Sequence, residues 1–117
     1  MLEKYAKINK NQRRLLKKKL PGKHTFILNP KKKIPVSKSK IGFRIPNHWC
    51  VLLSKEFGKP ITTTSANIHK KPIPKAIKDI NKIFEDSISL YIDEGILDGK
   101  PSKVMDITCS KPKVIRN

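Results

Sequence analysis

Apolar residues recur at helical spacing in three stretches of the chain, residues 5–19, 47–57 and 76–84. The first stretch is followed by Leu20-Pro21-Gly22 and the second by Gly58, and both are typical helix-stop signals. In the second stretch one stripe carries four large apolar side chains, Trp49, Leu52, Leu53 and Phe57. We therefore predict three amphipathic helices, and we expect Trp49 to lie in the core.

Short runs of β-branched and aromatic residues predict the strands. These runs are residues 24–28, 41–45, 60–64, 88–92, 103–108 and 113–116. In the second run apolar residues alternate with Gly42 and Arg44, so Arg44 is expected on the face opposite the apolar side chains. The third run leads into Ser65-Ala66-Asn67, and the end of a strand is a common binding site in α/β sheets. Residues 30–40 predict an exposed loop, and the whole pattern predicts a mixed α/β sheet.

The chain has 117 residues, which is the length of one domain. No apolar run approaches the roughly 18 residues that a membrane span needs, and the first residues lack the apolar stretch of a secretory signal. The two cysteines, Cys50 and Cys109, form no CxxC motif, so we expect small core residues and no metal site. These features favour a cytoplasmic protein that does not enter a membrane.

The charge of the chain is strongly basic. Lys and Arg number 27 against nine acids, a formal net charge of +18, and residues 1–40 hold fourteen of the bases and one acid. Such an excess favours polyanionic partners such as nucleotides or RNA. However, 23 of the 27 bases are Lys and Ile is abundant, a combination that a bias toward AT-rich codons would also produce. Both explanations stay open.

Four segments in order resemble one enzyme family, the YrdC-like L-threonylcarbamoyladenylate synthases. They are Leu20-Pro21-Gly22-Lys23-His24-Thr25-Phe26-Ile27-Leu28, Gly42-Phe43-Arg44-Ile45-Pro46-Asn47-His48, Pro60-Ile61-Thr62-Thr63-Thr64-Ser65-Ala66-Asn67 and Lys100-Pro101-Ser102-Lys103-Val104-Met105-Asp106. The resemblance covers essentially the whole chain. It implies a twisted open mixed α/β sheet with flanking helices, truncated at the N-terminus, so that residues 1–117 form a partial YrdC-like domain.

The resemblance also implies an activity. Members of the family join L-threonine, bicarbonate and ATP into threonylcarbamoyl-AMP and release pyrophosphate, which serves the threonylcarbamoyl modification of tRNA adenosines. ATP would enter as a substrate together with Mg²⁺, and no tightly bound cofactor is expected. Because no side chain needs to become covalently attached, positioning and charge neutralisation would supply most of the rate.

The resemblance implies binding roles for seven residues, and it assigns no catalytic residue. Those on the L-threonine side are Arg44, Ser65 and Ser102, and those on the ATP side are Lys40, Asn67, Lys75 and Arg116. A planar guanidinium suits the threonine carboxylate because it bonds both oxygens at once, which fits Arg44. We predict that Arg44, Ser65, Asn67 and Ser102 converge on one hollow.

The sequence departs from the family at its N-terminus, where members carry further residues with a Lys-x-Arg pair that grips threonine and the ATP phosphates. We therefore expect this chain alone to be inactive or nearly so, with exposed sheet edges and an uncovered apolar face. A gene fragment, a split enzyme completed by a separate N-terminal half or by self-association, and a shortened protein with another role all fit this pattern.

Two other functions compete with the enzymatic one. A non-catalytic module that binds double-stranded RNA or tRNA would use the basic first 40 residues on phosphates, and its affinity would fall steeply with salt. An inert remnant with neither activity is the third alternative.

Overall fold

The computed structural model describes residues 2–31, 39–84 and 87–117. Its elements, in chain order, are a short 3-10 helix Leu2–Lys4, α1 (Lys10–Lys19), β1 (His24–Leu28), β2 (Ile41–Arg44), α2 (Val51–Glu56), α3 (Ile77–Phe84), β3 (Lys103–Asp106) and β4 (Lys113–Arg116). All three predicted helices and four of the predicted strands are therefore present. Of the predicted loop at 30–40, residues 32–38 lie outside the described part.

The four strands form one mixed sheet in the order β2-β1-β3-β4. β1 pairs antiparallel with β2 and parallel with β3, and β3 pairs antiparallel with β4. Alternation along the strands gives the sheet two faces. On one face Phe26 and Leu28 are fully buried and pack with Ala6, Leu16 and Ile107, to which α1 contributes Leu16. The prediction of a mixed α/β sheet is confirmed.

The first helix is shorter than its apolar spacing predicted. It begins at Lys10, because Asn9 and Gln12 form a capping box in which each side chain accepts a bond from the other residue's backbone N–H, at 2.9 and 2.8 Å. Its predicted end is confirmed, since α1 stops at Lys19. Across the described residues, none of the helices combines the length and apolar character that a bilayer span requires.

Two predicted strands, at 60–64 and 88–92, are wrong: these residues are not strands in the structure. β-branched residues form a strand only where a neighbouring strand supplies hydrogen-bond partners, and the described sheet contains no strand paired with either run.

Several residues expected in the core are exposed. Trp49 is 41% exposed, and Leu52 and Phe57 on the same stripe are 49% and 65% exposed. Cys109 is also exposed and Cys50 is half-buried, so the expectation of two core cysteines is wrong. Amphipathic spacing identifies the apolar side of α2 but not whether another element covers it. The uncovered apolar surface predicted from the sequence is thus present.

The chain divides into two compact units. The sheet unit comprises Met1–Ile61 and Pro101–Asn117 and holds the sheet with α1 and α2, whereas the α3 unit comprises Thr62–Lys100. The assignment of residues 1–117 to a single partial domain stays a prediction.

Candidate ligand-binding site

The register of the sheet aligns four residues, one from each strand, in a row that we call the arginine row. Arg44 in β2 lies opposite Thr25 in β1, Thr25 lies beside Val104 in β3, and Val104 lies opposite Arg116 in β4. Neighbouring residues in a register share a face of the sheet, and this face is the one opposite Phe26. Both arginines are exposed. Two guanidinium groups therefore flank a hydroxyl on one surface, an arrangement suited to carboxylate or phosphate groups.

Ser102 lies immediately before β3 and is held by two members of the arginine row. Its side chain is only 5% exposed, and its Oγ lies 2.7 Å from Thr25 Oγ1. Arg116 donates from Nε and Nη2 to the Ser102 carbonyl at 3.1 and 2.9 Å, and from Nη2 to Ser102 Oγ at 3.4 Å. The interval of fourteen residues between Ser102 and Arg116 thus corresponds to direct contact between them.

Lys40 is tied to the same face by an ion pair. Its Nζ lies 2.8 Å from Asp106 Oδ2, and Asp106 Oδ1 accepts from the backbone N and Oγ1 of Thr108 at 2.9 and 2.6 Å. Asp106 lies in register with Ile27, which pairs with Gly42, two residues before Arg44. Lys40 therefore reaches from the start of β2 to β3, on the side of the sheet that carries the arginine row.

The ion pair sets the ionisation of both partners. Hydrogen bonds, first from Lys40 and then from Thr108, lower the pKa of Asp106 to about 2. The hydrogen bond to Asp106 in turn raises the pKa of Lys40. At neutral pH both groups are charged, and Asp106 offsets one positive charge next to the row.

The remaining predicted site residues lie in the α3 unit. Ser65 Oγ donates to Asn67 Oδ1, and Asn67 Nδ2 donates to the carbonyls of Ile68 and Lys71 at 3.1 and 2.7 Å. Asn67 thus closes a turn with its own amide group. Lys75 Nζ lies 2.5 Å from Asp98 Oδ1, and both of these side chains are more than half exposed.

The seven predicted site residues consequently fall into two sets. The sheet unit brings Arg44, Ser102 and Arg116 together, with Lys40 on the same face. The α3 unit brings Ser65 and Asn67 together and also holds Lys75, which pairs with Asp98. The roles assigned to these residues stay predictions, as does their convergence on one hollow. Within residues 2–31, 39–84 and 87–117, no three His, Cys, Asp or Glu side chains lie together as metal ligands.

Sequence reasoning missed Thr25 and Asp106, which hold Ser102 and Lys40 in place. Thr25 alternates with the buried Phe26 in β1, so the period of two that placed Arg44 on the polar face would have placed Thr25 there as well. The residues that they hold, Ser102 and Lys40, lie 77 and 66 positions away in sequence, so no local signal links the two members of either pair.

Comparison with known proteins identifies the family of this chain. The model of the Sua5/YciO/YrdC family, described as "Telomere recombination", matches residues 1–117. A Methanocaldococcus jannaschii protein named "Putative threonylcarbamoyl-AMP synthase" is 37% identical over 98% of this chain and 56% of its own length.

Two solved structures share the fold. E. coli YciO superposes with a TM-score of 0.87 at 29% identity, over 99% of this chain and 60% of that one. P. abyssi Sua5 complexed with L-threonine gives 0.86 at 30% identity, over 98% of this chain and 36% of that one.

The chain spans less than two thirds of the length of these relatives, 56% of the M. jannaschii protein and 60% of YciO. Its mixed sheet with flanking helices has the YrdC-like fold that the sequence motifs predicted. With a family match over its full length, the chain belongs to the Sua5/YciO/YrdC family.

Proposed function

We propose that this protein takes part in forming threonylcarbamoyl-AMP from L-threonine, bicarbonate and ATP for the threonylcarbamoyl modification of tRNA. The observation that carries the proposal is the arginine row, with Ser102 held between its members, in a fold that superposes on a Sua5 solved with L-threonine. A cytoplasmic location belongs to the proposal because tRNA is modified there, and it agrees with the free thiols of Cys50 and Cys109.

The reaction needs side chains that position the substrates and neutralise their charge, and it needs no nucleophile from the protein. The threonine amine attacks the carbon of bicarbonate and water leaves, which gives a carbamate; a carbamate oxygen then attacks the α-phosphorus of ATP and pyrophosphate departs. In this proposal Arg44 binds the threonine carboxylate and Ser102 contacts the same substrate, while Arg116 and Lys40 face the nucleotide. Mg²⁺ arrives on the phosphates of ATP as part of the substrate.

The chain described here supplies part of this site. The triphosphate needs dense positive charge, and the Lys-x-Arg pair of the family has no counterpart among the matched motifs. We propose that a further polypeptide segment, from a separate N-terminal half or from self-association, completes the site. The exposed stripe of α2, which includes Leu53 at 44% and Phe57 at 65% exposure, supports an association of this kind.

Titration of the ¹⁵N-labelled chain with L-threonine tests the binding half of the proposal. We expect chemical-shift changes around the arginine row, and we expect Arg44→Ala to weaken binding about tenfold or more, since a bidentate charge-assisted contact is lost. Arg14→Ala, which removes an exposed arginine of α1, is the matched control and should bind as the wild type does. A wild-type chain that shows no L-threonine binding overturns the proposal.

Incubation of the chain with L-threonine, bicarbonate and ATP labelled in the α-phosphate tests the catalytic half. We expect little or no labelled threonylcarbamoyl-AMP from the chain alone. Rapid pyrophosphate release that depends on L-threonine would show that the site is already complete in this chain.

Binding of double-stranded RNA or tRNA is a second candidate function, and α1 is the observation that favours it. Six cationic side chains of this helix are exposed: Lys10, Arg13, Arg14, Lys17, Lys18 and Lys19. Glu3 pairs with Arg13 at 2.9 Å and offsets one of these charges. Such a surface suits a phosphate backbone and carries no base-specific information.

Changing Lys17, Lys18 and Lys19 together to Gln should weaken RNA binding and flatten its dependence on salt, while Arg44→Ala together with Ser65→Ala should leave RNA binding unchanged. Equal effects of both variants on RNA and on L-threonine would refute the separation of the two surfaces.

A further inference from the structure

The pair of hydroxyls formed by Thr25 and Ser102 joins two strands at the centre of the candidate site. Thr25 comes from β1 and Ser102 precedes β3, and the bond of 2.7 Å between their oxygens spans 77 residues of sequence. Because Ser102 is 5% exposed, water has little access to its hydroxyl, so the orientation of that hydroxyl depends on protein partners.

The backbone of Ser102 is fixed independently of its side chain. The Arg116 guanidinium donates twice to the Ser102 carbonyl, at 3.1 and 2.9 Å. The next residue, Lys103, donates its backbone N–H to the Lys23 carbonyl at 3.0 Å. The remaining freedom at Ser102 is rotation of its side chain, which is restricted by the bond with Thr25 at 2.7 Å and by the longer contact from Arg116 Nη2 at 3.4 Å.

A serine hydroxyl has one proton to donate and two lone pairs that accept. The contact with Thr25 uses one of these capacities and so directs the remaining ones. Removing the Thr25 hydroxyl would leave the buried Ser102 oxygen with only the long contact from Arg116 at 3.4 Å. The Ser102 hydroxyl would then be less well oriented, at a cost to any ligand that needs it in one orientation.

We propose that Thr25 is a positioning residue for the L-threonine site and acts by orienting the Ser102 hydroxyl. The inference rests on the proposed function, and it adds a residue that the family motifs did not assign a role. Thr25 occupies the arginine row between Arg44 and Val104, so its own side chain lies on the surface where the substrate would bind.

Titration of four ¹⁵N-labelled chains with L-threonine tests the inference: wild type, Thr25→Val, Thr25→Ser and Thr108→Val. Valine keeps the branched shape of threonine without the hydroxyl, and serine restores the hydroxyl. We expect Thr25→Val to raise the Kd for L-threonine about tenfold, equivalent to roughly 1.4 kcal/mol, and Thr25→Ser to stay within about twofold of the wild type.

Thr108→Val is the matched control for a general loss of stability. It also removes a hydroxyl that bonds a side chain, that of Asp106 at 2.6 Å, but it follows β3 whereas Ser102 precedes that strand. We expect it to lower the melting temperature while leaving the Kd for L-threonine unchanged. Should Thr25→Val fail to fold, Thr25→Ala removes the same hydroxyl from a smaller side chain and takes its place.

The outcomes separate the inference from the proposed function. If the wild type binds L-threonine and Thr25→Val binds equally well, the inference is wrong and the function stands. The inference also fails if Thr25→Ser is as impaired as Thr25→Val, or if Thr108→Val weakens binding to the same extent. A wild-type chain that does not bind L-threonine overturns the function and the inference together.

Discussion

The two units of this protein hold their polar side chains in different ways. In the sheet unit, Ser102 is held by residues from other strands, and the sheet beside it covers a buried core. In the described part of the α3 unit no residue is buried, and Asn67 is held by bonds to residues at most four positions away. Long-range partners on a packed scaffold fix a side chain more firmly than local bonds on an exposed loop. The polar side chains of the sheet unit are therefore the better preorganised ones.

The comparison is tested most strongly by a matched pair of leucines. Leu28 is fully buried beneath the sheet, whereas Leu90 in the α3 unit is 75% exposed. We expect Leu28→Ala to lower the free energy of unfolding by about 2–5 kcal/mol and Leu90→Ala to change it by less than about 0.5 kcal/mol. Urea denaturation followed by circular dichroism measures both. Equal losses would mean that the α3 unit has a core of its own.

A pair of asparagines tests the local bonds. Asn9 caps α1, which carries Leu16 into the core, whereas Asn67 closes a turn in the α3 unit. Asn9→Ala should cost about 1 kcal/mol in unfolding free energy, as loss of a helix cap does, and Asn67→Ala only a few tenths of that. The same urea titration applies, and a larger effect at Asn67 would contradict the ranking of the two units.

A pair of ion pairs gives the smallest difference. Asp106 contacts Lys40 and Thr108 and its side chain is 16% exposed, whereas Asp98 and its partner Lys75 are exposed. We expect Asp106→Asn to lower the unfolding free energy at pH 7 by roughly 0.5 kcal/mol after allowance for solvent screening, and Asp98→Asn to have almost no effect.

The effect at Asp106 should depend on pH in a defined direction. Because its pKa is lowered to about 2 in the folded protein, its contribution is present above the unfolded-state value of about 3.9 and is lost as pH falls through about 2. Wild type and Asp106→Asn should therefore converge in stability at the acid end of that window. A constant difference between pH 7 and pH 2 would show that the ion pair is not its source.

Much of the sheet unit was predictable from sequence because its strands have recognisable local composition. The run 24–28 and the run 113–116 coincide with β1 and β4, since β-branched and aromatic residues there are bounded by Gly, Pro or Lys-rich turns. Arg44 lies on the predicted face because successive side chains of a strand point to opposite faces of the sheet. The start of α1 was missed because the apolar spacing continued past Asn9, while the capping box decided where the helix begins.

Features that depend on a partner were not predictable. Among the described residues, the run 60–64 has strand composition but pairs with no strand of the sheet, and Trp49 has core composition yet is 41% exposed. In the same way, the bond of Thr25 to Ser102 follows from the parallel pairing of β1 with β3. Local composition shows which structure a segment is able to form, and its tertiary partners decide whether that structure is formed.

The parallel pairing of β1 and β3 has one further consequence. Parallel neighbours cannot be joined by a tight hairpin, so the chain leaves the sheet after Arg44 and returns at Lys103. The whole α3 unit lies within that single excursion. Because the entropy of closing a loop grows only with the logarithm of its length, residues can be gained or lost in this excursion at little cost to the sheet. The strands of the sheet and this excursion are thereby separated along one polypeptide, so the length of the excursion can change while the strand pairing is kept.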